Sequence, residues 1–530
     1  MKTITASELK RRLRSTEEIA LLDMREEVDF YRSHLLFAVN IPLSRLEQMI
    51  GDLVPRHGAP IVTCDAGEGL AAHGAERLAW LGYNNVMVLE GGNPGWEKAG
   101  GILFAGANVP SKAFGEFVEH EYGTPHITAE ELHGKLAGKD DLVILDSRPF
   151  EEFQIMSIPG GQDCPGAELV YRAREAAPNP NTTIVVNCAG RTRSIIGTQS
   201  LINSGIPNKV MALKDGTMGW ELAGLEVARK SIQRAPSATA AGISTALAGA
   251  KAVADRAGVR LIDAATLDGF RAEREQRTLY VLDVRQPEEY EAGHLEDALP
   301  AFGGQLVQST DRFVAVRGAR LVLVDDTEVR ALMTASWLRQ MGWDDVFVLA
   351  GGIGALPKVA GRRRSAMLGL DRIAPTLVDP AQAQRLLSQG QAAVIDLADP
   401  RRFKAEHIAG AWYAVRSKLP QGLDRFDAGQ TLLFTSSDGR FAALAAAEIA
   451  ERTGRKTAAI EGGTAAWKRS SLPLESGEST LLHPREETWS PYDEAHRTRQ
   501  SMLDYLSWEV DLYDRIKKDG DTRFRMLAGT

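Results

Sequence analysis

Cys188-Ala189-Gly190-Arg191-Thr192-Arg193 combines a thiol, a glycine and two guanidinium groups within six residues. A β-branched run, Thr182-Thr183-Ile184-Val185-Val186, precedes it. A helical pattern with Ile195, Ile196, Leu201 and Ile202 follows and stops at Gly205. A strand–loop–helix turn aims backbone N–H groups inward and sets the thiol at a helix N-terminus, where the dipole favours an anion. Such surroundings favour the thiolate, the nucleophilic form of cysteine. The chemistry this allows is covalent catalysis by a sulfur anion, with Cys188 as nucleophile and residues Ala189, Gly190, Arg191, Thr192 and Arg193 as the loop that receives an anionic substrate. The two arginines either steer that substrate or pair with neighbouring acids. Arg172, on an apparent helix with Glu168 and Tyr171, is a further candidate for the pocket.

The other two thiols read differently. Nothing near Cys164, in Gly160-Gly161-Gln162-Asp163-Cys164-Pro165-Gly166, activates it. It is an ordinary loop cysteine or a second sulfur carrier. Cys64, at a strand end, reads as buried and inert. No cysteine pair has metal-ligand spacing, so neither metal nor cofactor is expected.

The elements that must position Cys188 occur four times. An apolar strand ends in Leu22-Asp23-Met24-Arg25, Leu145-Asp146-Ser147-Arg148, Leu282-Asp283-Val284-Arg285 or Ile395-Asp396-Leu397-Ala398. An aromatic follows (Phe30, Phe153, Tyr290, Phe403), and four residues on stand His34, Ser157, His294 and His407. A later strand leads to Gly91-Gly92, Asp215-Gly216, Gly351-Gly352 or Gly462-Gly463, with Trp96, Trp220 and Trp467 just beyond in three copies. Cys188 lies 42 positions after Asp146; the same step reaches Asp65 and Asp325, and a step of 41 reaches Ser437. Only the second copy therefore has a thiol at the key position.

Strands alternating with helices indicate an α/β fold, a parallel sheet covered on both faces, with ligands at the carboxyl ends of the strands. We expect four such domains, over residues 1–103, 124–226 (the catalytic one), 259–357 and 374–474, and a helical tail over 475–530. Residues 104–125 read as a linker and the Ala-rich 227–258 as a spacer with helical character, which suggests two pairs, one with two and three with four. In the tail, Met502, Tyr505, Leu506, Leu512, Tyr513 and Ile516 recur at helical spacing. That stripe either packs on its own domains or forms a homodimer contact.

At 530 residues the chain exceeds one domain, and its 44% hydrophobic and 25% charged residues are ordinary for a globular protein. A net charge of -8 gives no footprint for nucleic acid or an anionic membrane. No apolar run reaches the ~18 residues of a membrane span. The charged N-terminus lacks the apolar core of a signal peptide. Three cysteines in the whole chain argue against a disulfide framework and for a cytoplasmic protein.

The acidic strand end with Asp-x-Arg, the aromatic-x3-His, the cysteine loop and the Gly-rich turn before Trp resemble the rhodanese family, the thiosulfate sulfurtransferases and their relatives. The resemblance covers four tandem domains and is strongest in the second. It implies that Cys188 takes a sulfur from thiosulfate or a related small donor as a persulfide and passes it to a thiophilic acceptor such as cyanide or a thiol. A protein sulfur acceptor is also open, with the other copies as a sulfur-relay or docking scaffold. Two departures stand out. The family's glycine usually lies three after the cysteine, whereas Gly190 lies two after. Copy two has Ser157 where the others keep histidine, a difference we expect to be structural. The rival enzyme class, a cysteine phosphatase, needs five residues between Cys and Arg. Here four separate Cys188 from Arg193, and Ser194 holds the phosphatase arginine position.

Overall fold

A computed structural model describes residues 2–477, 480–485, 488–490, 492 and 496–529. Each repeat forms a parallel sheet. In copy two the strand order is Gln162–Asp163, Leu142–Asp146, Thr183–Asn187, Val210–Leu213, His126–Ile127. Period-two alternation splits the central strand between two cores. Ile184 and Val186 face a large cluster shared with copies one and three, and Val185 faces a smaller one with Leu132 and Trp220. Both faces are covered, so the strand is apolar throughout, and each such side chain contributes roughly 1.5–3 kcal/mol.

The repeated polar residues turn out to be local braces. Arg25, Arg148 and Arg285 each fork onto the buried aspartate two residues earlier and donate to a carbonyl eight residues later, that of Ser33, Met156 or Gly293. His34, His294 and His407 stack on Phe30, Tyr290 and Phe403, with ring centroids 3.7–3.9 Å apart and Nδ1 beside that aromatic's carbonyl. Copy two lacks the ring. There Ser157 N–H donates to Ala228 O at 2.8 Å, so the position is structural here too.

The copies do not pair as the linkers suggest. Val316–Arg317 of copy three joins the copy-one sheet antiparallel to Ile19–Ala20, and Tyr280 donates to Leu53 O. Copy two meets copy three through Arg330–Glu168 (2.9 Å), Trp337 Nε1 to Ser200 Oγ (2.8 Å) and the close pass of Gly304 against Gly166. Copy one meets copy four through Arg416–Glu47 (2.6 Å). The reason is that both linkers are helices rather than spacers. Val109–Tyr122, started by Pro110, packs on the helix behind the cysteine loop, and Ala240–Ala257 wedges between copies two and three. The tail helix Arg499–Asp519 lays its apolar stripe on the first of these, burying Leu512 and Ile516 against Val109 and Ala113. Its stripe is thus satisfied within the chain. Among the described residues no helix is long and apolar enough to cross a membrane.

Candidate active site

Cys188 follows the strand Thr183–Asn187 directly and precedes the helix Thr192–Asn203; it is 2% exposed. Its thiol lies 3.5 Å from Ser194 Oγ, which itself donates to Arg191 O at 2.8 Å. Thr217 anchors Cys188 O from its N–H (2.8 Å) and its hydroxyl (3.0 Å). Gly216 makes this approach possible. It has φ +55°, and a Cβ there would sit 2.4 Å from Cys188 O.

The same approach identifies the counterparts of Cys188. Asn93, Thr217, Ile353 and Thr464 donate their N–H to the carbonyls of Asp65, Cys188, Asp325 and Ser436. Sheet register agrees, since Cys64, Asn187, Val324 and Thr435, the residues just before them, pair with Asp23, Asp146, Asp283 and Asp396. The fourth counterpart is therefore Ser436, not Ser437; copy four is two residues shorter before the loop and one longer after it. In copies one and three the loop amides are already engaged. Asp65 accepts from the N–H of Gly67 (3.0 Å) and Ala71 (2.9 Å). Asp325 accepts from Thr327, from Glu328 (3.1 Å), from Arg330 (2.8 Å) and from Ala331 (3.2 Å). Each carboxylate fills its own cradle. The matching amides in copy two belong to Gly190, Arg191, Arg193 and Ser194.

The two loop arginines part ways. Arg191, 7% exposed, is held by Glu116 (2.8 and 2.7 Å), by Glu119 and by Asp215 (3.1 Å). Burial works against its charge, and these three carboxylates more than offset that. It clamps the loop to the linker helix rather than standing free for a donor. Arg193 pairs with Glu152 (2.7 Å) and Gln305 (3.0 Å) and lines the cleft with Cys188. Arg330 and Glu289 repeat that pair in copy three. Arg172 is not brought to the site. Its Nε donates to Pro236 O at 2.9 Å, beside the second linker.

Three contributors were not legible in the loop itself. Lys112 of the linker helix donates to Glu509 Oε1 at 2.5 Å and to Tyr505, both on the tail helix. Ala189 packs against Met502 and Leu506. A Cβ on Gly190 would meet Glu509 Oε2 at 3.1 Å and Tyr505 Cε1 at 3.4 Å, which accounts for glycine standing two after the cysteine here. A signal existed, because Glu509 falls on the apolar stripe of the tail, where an acid needs a partner. The resulting cleft, about 900 Å³, draws on every copy: Tyr31, Cys188, Gln305 and Asp399 line it with Trp489 and Tyr505 of the tail. Cys64 and Cys164 are unpaired and fully buried, and burial pushes both thiols up. Among the described residues no His, Cys, Asp and Glu cluster is placed to hold a metal.

Comparison with known proteins agrees with this geometry. A family model described as rhodanese-like domain matches residues 5–99, 128–223, 266–356 and 379–470. The thiosulfate sulfurtransferase GlpE of Vibrio cholerae is 26% identical over 99 residues, which is 19% of this chain and 93% of that protein. GlpE of Ectopseudomonas mendocina is 29% identical over 103 residues, again 19% and 93%. A crystal structure of thiosulfate sulfurtransferase from Pseudomonas aeruginosa is 46% identical, with a TM-score of 0.97 over 99% of this chain and 100% of that one. Four repeats with one sheet order and one Gly-closed loop, three of them with a braced strand end, are thus four rhodanese-like domains, and the chain belongs to that family.

Proposed function

We propose that this chain is a thiosulfate sulfurtransferase working through a persulfide on Cys188. The observation that carries the reading is the loop comparison. Copies one and three hold a carboxylate on the loop amides, and copy two sets a cysteine at that position. A side chain of Cβ, Sγ and one further sulfur has the reach of an aspartate and, when ionised, its charge, so the amides of Gly190, Arg191, Arg193 and Ser194 suit it.

The reaction runs in two displacements. The Cys188 thiolate attacks the outer sulfur of thiosulfate. The sulfur–sulfur bond of the donor breaks, sulfite leaves with the electron pair, and Cys188–S–S⁻ remains. Arg193, one of several cations lining this cleft, offsets the sulfonate's charge as it departs, and Lys112 adds to the positive field. An acceptor then takes the terminal sulfur and restores the thiolate. Arg191 holds the loop in shape for both steps. Thr192, at the helix start, and Ala189, under the tail, frame the opening. A phosphatase would require a guanidinium where Ser194 stands. With three unpaired thiols we place the protein in a reducing compartment, the cytoplasm.

The test is intact-protein mass after brief exposure to thiosulfate, before and after cyanide. The wild type should gain one sulfur, about 32 Da, that cyanide removes, as expected of a covalent intermediate. Cys188→Ser should gain nothing. A gain that persists in Cys188→Ser would overturn the assignment. No gain from thiosulfate, with a gain from a thiol persulfide, would move the reading to a relay fed by another donor.

A further inference from the structure

Glu509 is 1% exposed, and its two carboxylate oxygens have unequal surroundings. Oε1 accepts from Lys112 Nζ (2.5 Å), Tyr505 OH (3.1 Å) and Thr192 Oγ1 (3.4 Å). Oε2 is buried, has no hydrogen-bond partner among the described residues, and lies over Gly190 in the cysteine loop. A buried, unpartnered carboxylate oxygen is costly, and in a native structure it calls for an explanation. Gln305, Thr192 and Tyr505, polar groups of the same cleft, leave it unserved. What it lacks is a donor, and the cleft it shares with Cys188 is where a substrate enters.

Of the molecules the reaction handles, the acceptors are the ones with a proton to give. Thiosulfate is a fully ionised dianion, whereas cyanide is mostly hydrogen cyanide near neutral pH. A thiol acceptor is mostly protonated near neutral pH, since an ordinary thiol has a pKa of about 8.5, and only its thiolate attacks sulfur. We propose that Glu509 is the base that deprotonates a thiol acceptor in the second half of sulfur transfer, an assignment that rests on the persulfide reading of Cys188. The proton of RSH passes to Glu509 Oε2. The thiolate attacks the terminal sulfur of Cys188–S–S⁻ and forms a new sulfur–sulfur bond. The bond to Cys188 Sγ breaks, and its electron pair stays on Cys188 as thiolate. The acceptor leaves as RSS⁻, and Glu509 returns its proton to solvent. No oxidant or reductant is consumed. Lys112 balances the carboxylate's charge, so that an anionic persulfide is tolerated in the same cleft. The tail helix thereby supplies a reacting group to a cysteine more than 300 positions earlier in the chain.

The test compares two acceptors on one loaded protein. Cys188 is loaded with inorganic polysulfide, which bypasses thiosulfate, and discharged in single turnovers at mildly alkaline pH to sulfite, which is fully ionised there, or to 2-mercaptoethanol while the mass is followed. In Glu509→Gln the thiol-to-sulfite rate ratio should fall at least about tenfold, toward the ~10²–10⁴ expected of a lost general base. Glu509→Asp should recover part of it. A ratio within about twofold of wild type in Glu509→Gln overturns the proposal, whether both rates drop or neither does, and leaves Glu509 as a brace for the tail. Should the Gln variant fail to fold, Glu509→Asp carries the test, because withdrawing the carboxylate by one methylene lowers the ratio for a base and leaves it alone for a brace. Loading by polysulfide but not by thiosulfate would count against the donor reading and leave this ratio informative.

Discussion

At the residue scale, Asp396 is the strand-end aspartate without an arginine brace. Asp23, Asp146 and Asp283 have an arginine two residues later; Asp396 has Ala398. Burial pushes its carboxyl up to about 6, with only the Ala398 N–H and His407 pulling it back. A carboxyl raised above its unfolded value of about 3.9 favours the folded state when protonated. That contribution is full below about pH 4 and is lost as pH rises through about 6, a change of up to about 3 kcal/mol. Thermal midpoints across this range should fall for the wild type relative to Asp396→Asn. Parallel pH curves for the two proteins would refute the assignment. The buried thiols permit a second expectation. Cys64→Ser and Cys164→Ser should keep most of their sulfur loading, since neither sulfur lines the cleft, and loss of loading in Cys164→Ser alone would revive a relay role for it.

At the scale of elements, what escaped sequence reading is where the linker and tail helices pack. Strand ends, the cysteine loop and the Gly–Trp turns were legible because each is a short-range unit repeated four times, so every copy checks the others. The fourth counterpart slipped by one residue because copy four differs in length on both sides of the loop, so no fixed step from its aspartate reaches it. Arg191 stayed open between steering and pairing for a different reason. A sequence shows the guanidinium but not Glu116 and Glu119, which arrive on a helix 72 or more positions earlier. The tail is the clearest case, since its stripe was visible and its target was not. Docking of that helix should depend on Leu512, fully buried against Phe104 and Val109. Leu512→Ala should cost about 2–5 kcal/mol of local stability and speed amide exchange from 499 to 519. If Tyr505 and Glu509 serve the cleft, turnover with a thiol acceptor falls too. Faster exchange with unchanged turnover would separate the tail from catalysis.

At the scale of the whole molecule, the seams run from copy two to three and from copy one to three and four, so a cut between the second and third copies divides every one of them. A chain ending near residue 236 should be inactive and poorly folded alone. It would expose the edge of Ile19–Asp23 and strip Glu168 of the partner that Arg330 supplies. Co-expression with residues 237–530 should restore sulfur loading, and a stable, active 1–236 fragment would disprove the seam argument. The aspartates of copies one and three have one more consequence. Their cradles are permanently filled, whereas the cradle of copy two is occupied according to what its cysteine carries. Sulfur bonded to Cys188 should then behave as a ligand that binds only the folded state, raising heat resistance on loading and lowering it on discharge. The protein's melting point would serve as a gauge of its cargo.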